Sequence, residues 1–410
     1  VTARVVITGM GCISGLGQGM AATWAGLVDG VGAIRPLDRR FGGDDRFAMR
    51  GPAAVVESVD GGALEARLGR RVMGQLDPVA AYAVLATEEA LGQAGLLDQP
   101  ALLADAAILY GAASGGNVTV EEAYGRLFLK GQASVHPLTI PKMMGSAAVA
   151  QLSILFGVRG PTFAIASACA SSAHAVGEAL DRIRAGRSRI VIAGGADASL
   201  TYGSWMAWKA LRAMAPDACR PFSEGRQGMV LGEGAATLVL EALDHARARG
   251  APILAEVIGA GASSDAFDLT QPDGAGALAA LALAYQDAGI TRDQPALVSA
   301  HGTGTPLNDK TEAQALRACF GDALPRHRVI ATKSAHGHLL GAGGAIELAA
   351  GVAALRAGLA PQVLNYLGAD LECDLPLALG DPAPFDGEIL VSNSFAFGGL
   401  NAVLIARRMD

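Results

Sequence analysis

The sequence predicts an α/β protein with a mostly buried sheet and two halves that share one layout. Three observations carry this expectation. Ten short β-branched runs alternate with helical patterns, and two strand-to-helix junctions far apart in the chain are built alike. The 410 residues, 51% hydrophobic and 17% charged, supply material for a large core.

The strand runs end in Gly, Ser or Asn. They fall at Val5 to Thr8, Ala107 to Tyr110, Phe163 to Ala166, Ile190 to Ala193, Thr237 to Leu240, Ile253 to Ile258, Ala296 to Ser299, Val329 to Thr332, Ile389 to Val391 and Ala402 to Ile405. Their near-continuous apolar character marks strands covered on both faces. At the first junction, Phe163 to Ala166 runs through small residues into a helix over Ser171 to Ala185. At the second, Val329 to Thr332 runs through KSAHGH into a helix over Ala342 to Ala357. Both helices are rich in Ala and Gly, and both junctions deliver a reactive side chain, a weak internal duplication. The boundary falls near residues 247–253 (ARARGAP), giving halves 1–250 and 251–410. The stretches Asp38 to Asp60 and Tyr110 to Gly145 read as irregular, Gly-rich insertions, suited to covering a pocket or forming an interface in an oligomer.

Composition excludes several classes. A net charge of -7 with only short Arg/Lys clusters leaves no footprint for nucleic acid. The longest apolar segment, Ala345 to Leu359, is interrupted by Glu347 and Arg356, short of the ~18 residues that span a bilayer. The N-terminus enters VVITGMG without the layout of a signal peptide. Five dispersed cysteines without a C-x-x-C pair fit a reducing cytoplasm and argue against a disulfide framework or a thiolate zinc site. GMGCISG lacks the G-x-G-x-x-G spacing of a dinucleotide loop.

Three residues stand where chemistry is expected. Cys169 lies in IASACASSAHAVGEAL, between a strand and a helix. A helix N-terminus favours thiolate, and lowering a thiol pKa of ~8.5 by roughly 1.5 units makes it about half ionised at pH 7. Alone, a cysteine in an Ala-rich stretch is more often a small buried hydrophobe. His301 opens HGTGTPLND, where Gly302 and Gly304 allow close backbone approach and Thr303 and Thr305 offer hydroxyls. His338 lies in KSAHGHLLGAGG, five residues after Lys333. Each histidine alone is equally well a hydrogen-bonded structural residue. Together, three strand ends presenting a nucleophile and two proton donors make the layout of an active site at one sheet edge.

The motifs SACASS, HGTGTPLND, KSAHGHLLGAGG and NSFAFGGLNA stand in the order and spacing of the β-ketoacyl-acyl-carrier-protein synthases. The chain resembles the elongating synthase II type from end to end, including VVITGMG, CRPFSEGRQGMVLGEGA and GASSDAFDLTQP. The resemblance implies the thiolase fold, two pseudo-duplicated halves in a layered α-β-α-β-α arrangement. It implies decarboxylative Claisen condensation of an acyl chain on Cys169 with malonyl-acyl carrier protein, in a type II polyketide, polyene or fatty-acid pathway. His301 and His338 correspond to the pair that promotes decarboxylation, and Lys333 and Glu312 to a charged pair ordering the site. Phe397 matches the residue whose N–H joins that of Cys169 in an oxyanion hole, and Phe395 belongs to the same gate. Thr303, Thr305 and Thr270 match positions that hold the phosphopantetheine arm. Arg70 and Arg71, beside Arg67, and Arg212 are expected carrier-protein contacts, with a solvated basic face as the alternative. The resemblance implies no cofactor beyond substrates carried on phosphopantetheine and no metal. The partners it implies are acyl carrier protein and a second subunit, either another copy or a chain-length-factor homologue, with no nucleic acid and no membrane insertion.

The chain departs from the pattern in places. Ala396 replaces the usual Gly and Leu400 the usual Thr, which restricts the gate if residue 396 needs positive φ. His336 replaces a small residue and reads as a solvated loop side chain or a partner of the site. Ser114 falls where a bulky aliphatic residue lines the acyl tunnel, and Trp208 on an aromatic tunnel position. A thiolase needs a second late cysteine, and only Cys373 is present; a non-catalytic chain-length factor lacks the nucleophile, present here as Cys169.

Overall fold

The computed structural model describes residues 3–57 and 59–409. Five strands come first: β1 (Val5–Ser14), β2 (Ala107–Gly111), β3 (Thr162–Ile165), β4 (Ile190–Asp197) and β5 (Gly234–Ala242). Five follow: β6 (Ala255–Ser264), β7 (Ala296–Ser299), β8 (Arg328–Ile330), β9 (Ile389–Ala396) and β10 (Leu400–Arg408). They lie on one path, β8-β7-β9-β10-β6-β1-β5-β4-β2-β3, and the short strand Gly17–Gln18 pairs back on β1. All ten strand runs read from the sequence fall on this path.

The duplication is a matter of topology. In each half the spatial order is third, second, fourth, fifth, first strand. The second strand pairs parallel with the third and fourth, and the fifth pairs antiparallel with the fourth and first. The halves join where β1 meets β6, with Val5 opposite Val257 and Ile7 opposite Ala255.

The helices that matter to the site are α1 (Pro78–Gln93), α2 (Asn117–Tyr124), α3 (Ser171–Arg184), α4 (Tyr202–Ala210), α5 (Gly274–Ala288), α6 (Pro306–Phe320) and α7 (Gly343–Ala357). α1 covers the outer face of the first half, and α5 and α6 that of the second, while α3 and α7 pack side by side between the two halves of the sheet. This is the layered α-β-α-β-α arrangement of the thiolase fold. A helix in the middle layer meets apolar neighbours all round, so α7 is buried on almost every side. The 18 residues Leu340–Ala357 are apolar enough to cross a bilayer, contrary to the sequence expectation, but they form this central helix and the 3-10 turn that leads into it, and are 83% buried in the core.

Close approach explains the glycines in β1. A Cβ at Gly9 would stand 2.0 Å from Ala90 O, and one at Gly11 2.1 Å from Ala86 O, so α1 can lie on β1 only because both are glycine. The two supposed insertions are partly ordered. Arg35–Arg40 and Ala48–Ala54 pair as an antiparallel hairpin, and residues 117–143 hold α2, a π-helical turn Gly125–Leu129 and a short helix Thr139–Met143.

Candidate active site

Cys169 sits on a tight turn just before α3. Ala168 adopts φ 49°, a left-handed conformation unusual for alanine, so the turn is strained in the manner of a nucleophile elbow. Ser171 braces it: its hydroxyl accepts from Ser167 N at 2.9 Å and donates to Ala168 O at 2.6 Å. The sequence expectation of a readily ionised thiolate does not hold for the free pocket. Burial pushes the Cys169 thiol up to about 12, because charged sulfur loses more solvation than the helix start returns, and the Lys333 charge only partly opposes this.

His338 stands two residues before the second strained position, Leu340, which has φ 46°. His338 N donates to Val230 O at 2.7 Å and its carbonyl accepts from Gly232 N at 2.9 Å. Its Nε2 lies 3.0 Å from Cys169 Sγ, while Leu340 N–H donates to Nδ1 at 3.2 Å. A nitrogen that accepts carries no proton, so the neutral ring bears its hydrogen on Nε2, facing the sulfur.

His301, two residues beyond β7, is fixed in the same tautomer by a different donor. Lys333 Nζ lies 3.2 Å from His301 Nδ1 and 2.6 Å from His301 O, and it also bonds the Glu347 carboxylate. The ammonium donates to Nδ1, which leaves the His301 proton on Nε2. Burial, followed by the nearby Lys333 charge, drives both imidazoles well below the usual histidine range, so both are neutral at pH 7. The rings meet edge to face with centroids 5.5 Å apart. The ligand atoms of Cys169, His301 and His338 lie within 4.8 Å of one another, compact enough for a metal ion. The fixed tautomers present N–H donors instead of lone pairs, a donor set arranged for an anion.

The charged pair read from the sequence needs correcting. Lys333 is paired with Glu347 on α7, not with Glu312. Glu312 on α6 grips the backbone, accepting from His301 N and Gly302 N at 2.8 Å each and from Asn393 Nδ2 at 3.0 Å. Its neighbour one turn back, Asp309, accepts from Gly304 N and Phe222 N. Two carboxylates on one helix face thus hold the loop at residues 301–305. Sequence reasoning missed Glu347, although a single carboxylate inside an apolar helix was the available signal. His336 is also not solvated. It is fully buried, with Nδ1 donating to Gly337 O and Nε2 accepting from Thr332 Oγ1 at 2.9 Å, so it braces the turn that presents His338.

Cys169, His301 and His338 open into a cavity of about 370 Å³ that Trp208, Arg212, Thr270, Thr303, Thr305, Phe395 and Phe397 also line. The Thr303 and Thr305 hydroxyls bond each other at 2.8 Å. Phe397 is 36% exposed and stacks on Trp208, with centroids 5.9 Å apart and planes 26° from parallel. The positive φ required at the gate falls on Gly398 (79°) and Gly399 (68°), not on Ala396, which ends β9 directly opposite Leu400. The two departures from the family pattern are therefore register partners closing one hairpin, and Ala396 imposes no strain.

Ser114 does not line this cavity. Its hydroxyl is drawn into a polar cluster, 3.0 Å from Ser199 Oγ and 3.0 Å from Asn117 Nδ2. Arg70 and Arg71 are exposed on a one-turn helix, Arg70–Met73, and are not part of the cavity lining; Arg67 pairs with Glu88.

Comparison with known proteins agrees with this geometry. The family described as Beta-ketoacyl synthase, N-terminal domain, matches residues 2–246, and the corresponding C-terminal domain matches 254–367. The chain is 40% identical to Nodulation protein E of Rhizobium meliloti (strain 1021) and 34% identical to 3-oxoacyl-[acyl-carrier-protein] synthase 2 of Staphylococcus aureus (strain COL), each over 99% of both chains. Among solved structures, the ishigamide ketosynthase/chain length factor superposes with a TM-score of 0.91 at 33% identity, covering all of both chains. The ketosynthase of the AntDE:AntF complex, a type II polyketide synthase carrier protein with its ketosynthase bound to the hexaketide, superposes at 0.89 with 26% identity, again over all of both chains. A buried cysteine facing two imidazoles, on a duplicated thiolase fold matched along its whole length, makes this chain a member of the β-ketoacyl synthase family, a ketosynthase that condenses carrier-bound acyl substrates.

Proposed function

We propose that the residues divide the condensation as follows, on the strength of one observation: both imidazoles are locked with their protons aimed at the space beside Cys169 Sγ. Cys169 attacks the acyl thioester. The acyl–sulfur bond to the carrier breaks as the bond to Sγ forms, and the thiol proton ends on the departing carrier sulfur. Donation from His338 to Sγ at 3.0 Å offsets the burial that keeps the free thiol protonated. The malonyl thioester oxygen then receives Nε2–H from His301 and His338. Loss of carbon dioxide leaves its electron pair as an enolate at that oxygen, and one such donor stabilises it by ~3 kcal/mol. The enolate carbon attacks the acyl carbonyl, whose developing charge is taken by the N–H groups of Cys169 and Phe397. The carbon–sulfur bond breaks, and Cys169 regains a proton from solvent. The sequence needs no redox or metal step, since decarboxylation itself makes the carbanion.

The same reading assigns Thr303, Thr305 and Thr270 to the phosphopantetheine arm and Phe395 and Phe397 to the gate. Arg212, at the cavity mouth, docks an acidic carrier protein, with Arg70 and Arg71 acting at longer range. It places the working unit in the cytoplasm, in a fatty-acid or type II polyketide elongation step, with the chain divided functionally at residue 250. The unpaired edge of β3, with Phe163 54% exposed, and the exposed Tyr124, Phe128 and Leu129 support a dimer, either with another copy or with a homologous subunit.

The test is Cys169→Gln. The variant has no nucleophile, but its amide occupies the place of an acyl group, so it should form no acyl-enzyme and no condensation product while still converting malonyl carrier to acetyl carrier. Carrier-bound species followed by mass report both. A Cys169→Gln protein that still elongates chains overturns the assignment.

A further inference from the structure

The turn that carries Cys169 is held from a side that the condensation chemistry does not use. Ala168 at φ 49° relaxes toward ordinary backbone unless its neighbours fix it. Ser171 fixes the main chain, through Ser167 N and Ala168 O. The Ser167 side chain has a partner of its own, His174, whose Nδ1 lies 2.8 Å from Ser167 Oγ. Ser171 and His174 are three residues apart on α3, so one face of that helix holds the turn at two places.

The His174 ring also meets a second element. Burial lowers its pKa, and the Asn401 carbonyl on β10 opposes this most, followed by the Glu178 charge and the Ala170 carbonyl. Asn401 lines the cavity and stands opposite Phe395 in the β9–β10 register. Its side-chain amide donates to Asp265 Oδ1 at 2.7 Å, which fixes it independently of His174. His174 itself is not part of the cavity lining. It is half-buried in a separate groove, beside Phe163, Ser167, Glu178, Arg182 and Arg187.

We propose that His174 is a positioning residue for the nucleophile, tying the Cys169 turn to the gate strands, with Ser167 Oγ–H donating to Nδ1 and Nε2–H directed at Asn401 O. The inference rests on the nucleophile role proposed for Cys169 and adds what holds that nucleophile in place. A neutral imidazole offers one donor and one acceptor, a carbonyl only accepts and a hydroxyl does either, so this assignment satisfies all three groups. Its consequence is geometric. The link keeps Cys169 Sγ and N–H in fixed relation to Phe395 and Phe397 when an acyl thioester arrives, and without it Ala168 relaxes and the thiol loses its aim.

The experiment measures two half-reactions on each variant: acylation of Cys169 by octanoyl carrier protein, followed by intact mass, and decarboxylation of malonyl carrier without an acyl donor. Ser167→Ala removes one oxygen, and His174→Gln removes the acceptor at Nδ1. Each should lower the maximal acylation rate roughly 5- to 10-fold, the worth of one neutral hydrogen bond, with half-saturation by carrier unchanged. His174→Asn keeps an acceptor for Ser167 but is too short to reach Asn401 O, so it should also slow acylation, by less. Decarboxylation, which His301 and His338 serve, should stay within about twofold of the parent in all three. The double variant Ser167→Ala, His174→Gln should be no slower than the slower single, because both changes remove the same bond. Parental acylation in any of the three overturns the inference, as do equal losses in both half-reactions or additive losses in the double variant. If the parent takes up no acyl group on Cys169, it is the nucleophile assignment that fails.

Discussion

Lys333 is the side chain on which the site's electrostatics turn, and Lys333→Met removes its charge while keeping its length. Its three donors are all used, on Glu347, His301 O and His301 Nδ1, and the residue is fully buried. Without the ammonium, nothing holds the His301 proton on Nε2. A charge-assisted hydrogen bond is worth ~1.5–3 kcal/mol, so malonyl decarboxylation should slow by roughly 10- to 100-fold at 1.36 kcal/mol per decade. The loss cannot much exceed that of deleting the His301 donor outright, ~3 kcal/mol. Acylation of Cys169 should also slow, because the Lys333 charge is what draws the thiol pKa down against burial.

A buried carboxylate left without its partner costs ~3–5 kcal/mol of stability. Burial already pushes Glu347 up to about 7, and with Lys333 gone it rises further and takes a proton at neutral pH, which limits the cost. The double variant Lys333→Met, Glu347→Gln separates stability from catalysis. It should regain most of the parental melting temperature, since both charges are gone, yet remain as slow in decarboxylation as the single variant. Mass measurement of carrier-bound acetyl and malonyl groups, beside a thermal melt, gives both numbers. A folded Lys333→Met protein that decarboxylates at the parental rate would refute the tautomer argument.

Three other expectations follow from the same geometry. His301→Ala and His338→Ala should each slow decarboxylation by roughly 100-fold or more while leaving most self-acylation, measured as separate half-reactions; normal decarboxylation by either would remove it from the enolate site. Decarboxylation should be flat from pH 8 to 6, because a histidine whose pKa is depressed stays in its neutral, donating form as the pH falls through 6.5, and loss begins only further down. A fall centred near pH 6.5 would mean that the imidazoles titrate normally. Arg212→Glu should raise the Michaelis constant for carrier protein, with an effect that shrinks as salt rises, and Arg70→Glu or Arg71→Glu should do so less, being off the cavity lining.

The core strands were legible because all but the edge strand β3 are buried on both faces over most of their length and so are written in β-branched and small apolar residues. The hairpin of Arg35–Arg40 and Ala48–Ala54 was not, since RPLDRR is almost wholly exposed and its pairing leaves no period-two pattern. Cys169, His301 and His338 were readable from motif context, whereas their partners depended on distance in space. Lys333 lies 14 residues from Glu347 and 21 from Glu312, and only the placement of α7 between the two halves of the sheet decides which carboxylate it meets. Ser114 misled for the same reason: a residue type marks a position on a tunnel, but not the hydrogen bonds that turn its side chain elsewhere.

The small residues that first read as weak signal are what bring the chemistry together. α3 and α7 start at the two reactive turns and cross in the middle layer, where a Cβ at Gly344 would stand 2.8 Å from Ala173 Cβ and 2.8 Å from Ser394 Oγ. Glycine there allows the two helix starts to close up, and Ser172 ties them, its hydroxyl accepting from Ala345 N at 3.0 Å. That contact sets the 3.0 Å between Cys169 Sγ and His338 Nε2, two atoms 169 positions apart in sequence. The duplicated topology therefore has a chemical use. One half supplies Cys169 at the start of its central helix, the other supplies the His338 turn at the start of the corresponding helix, and small side chains between the two helices let a thiol and an imidazole meet.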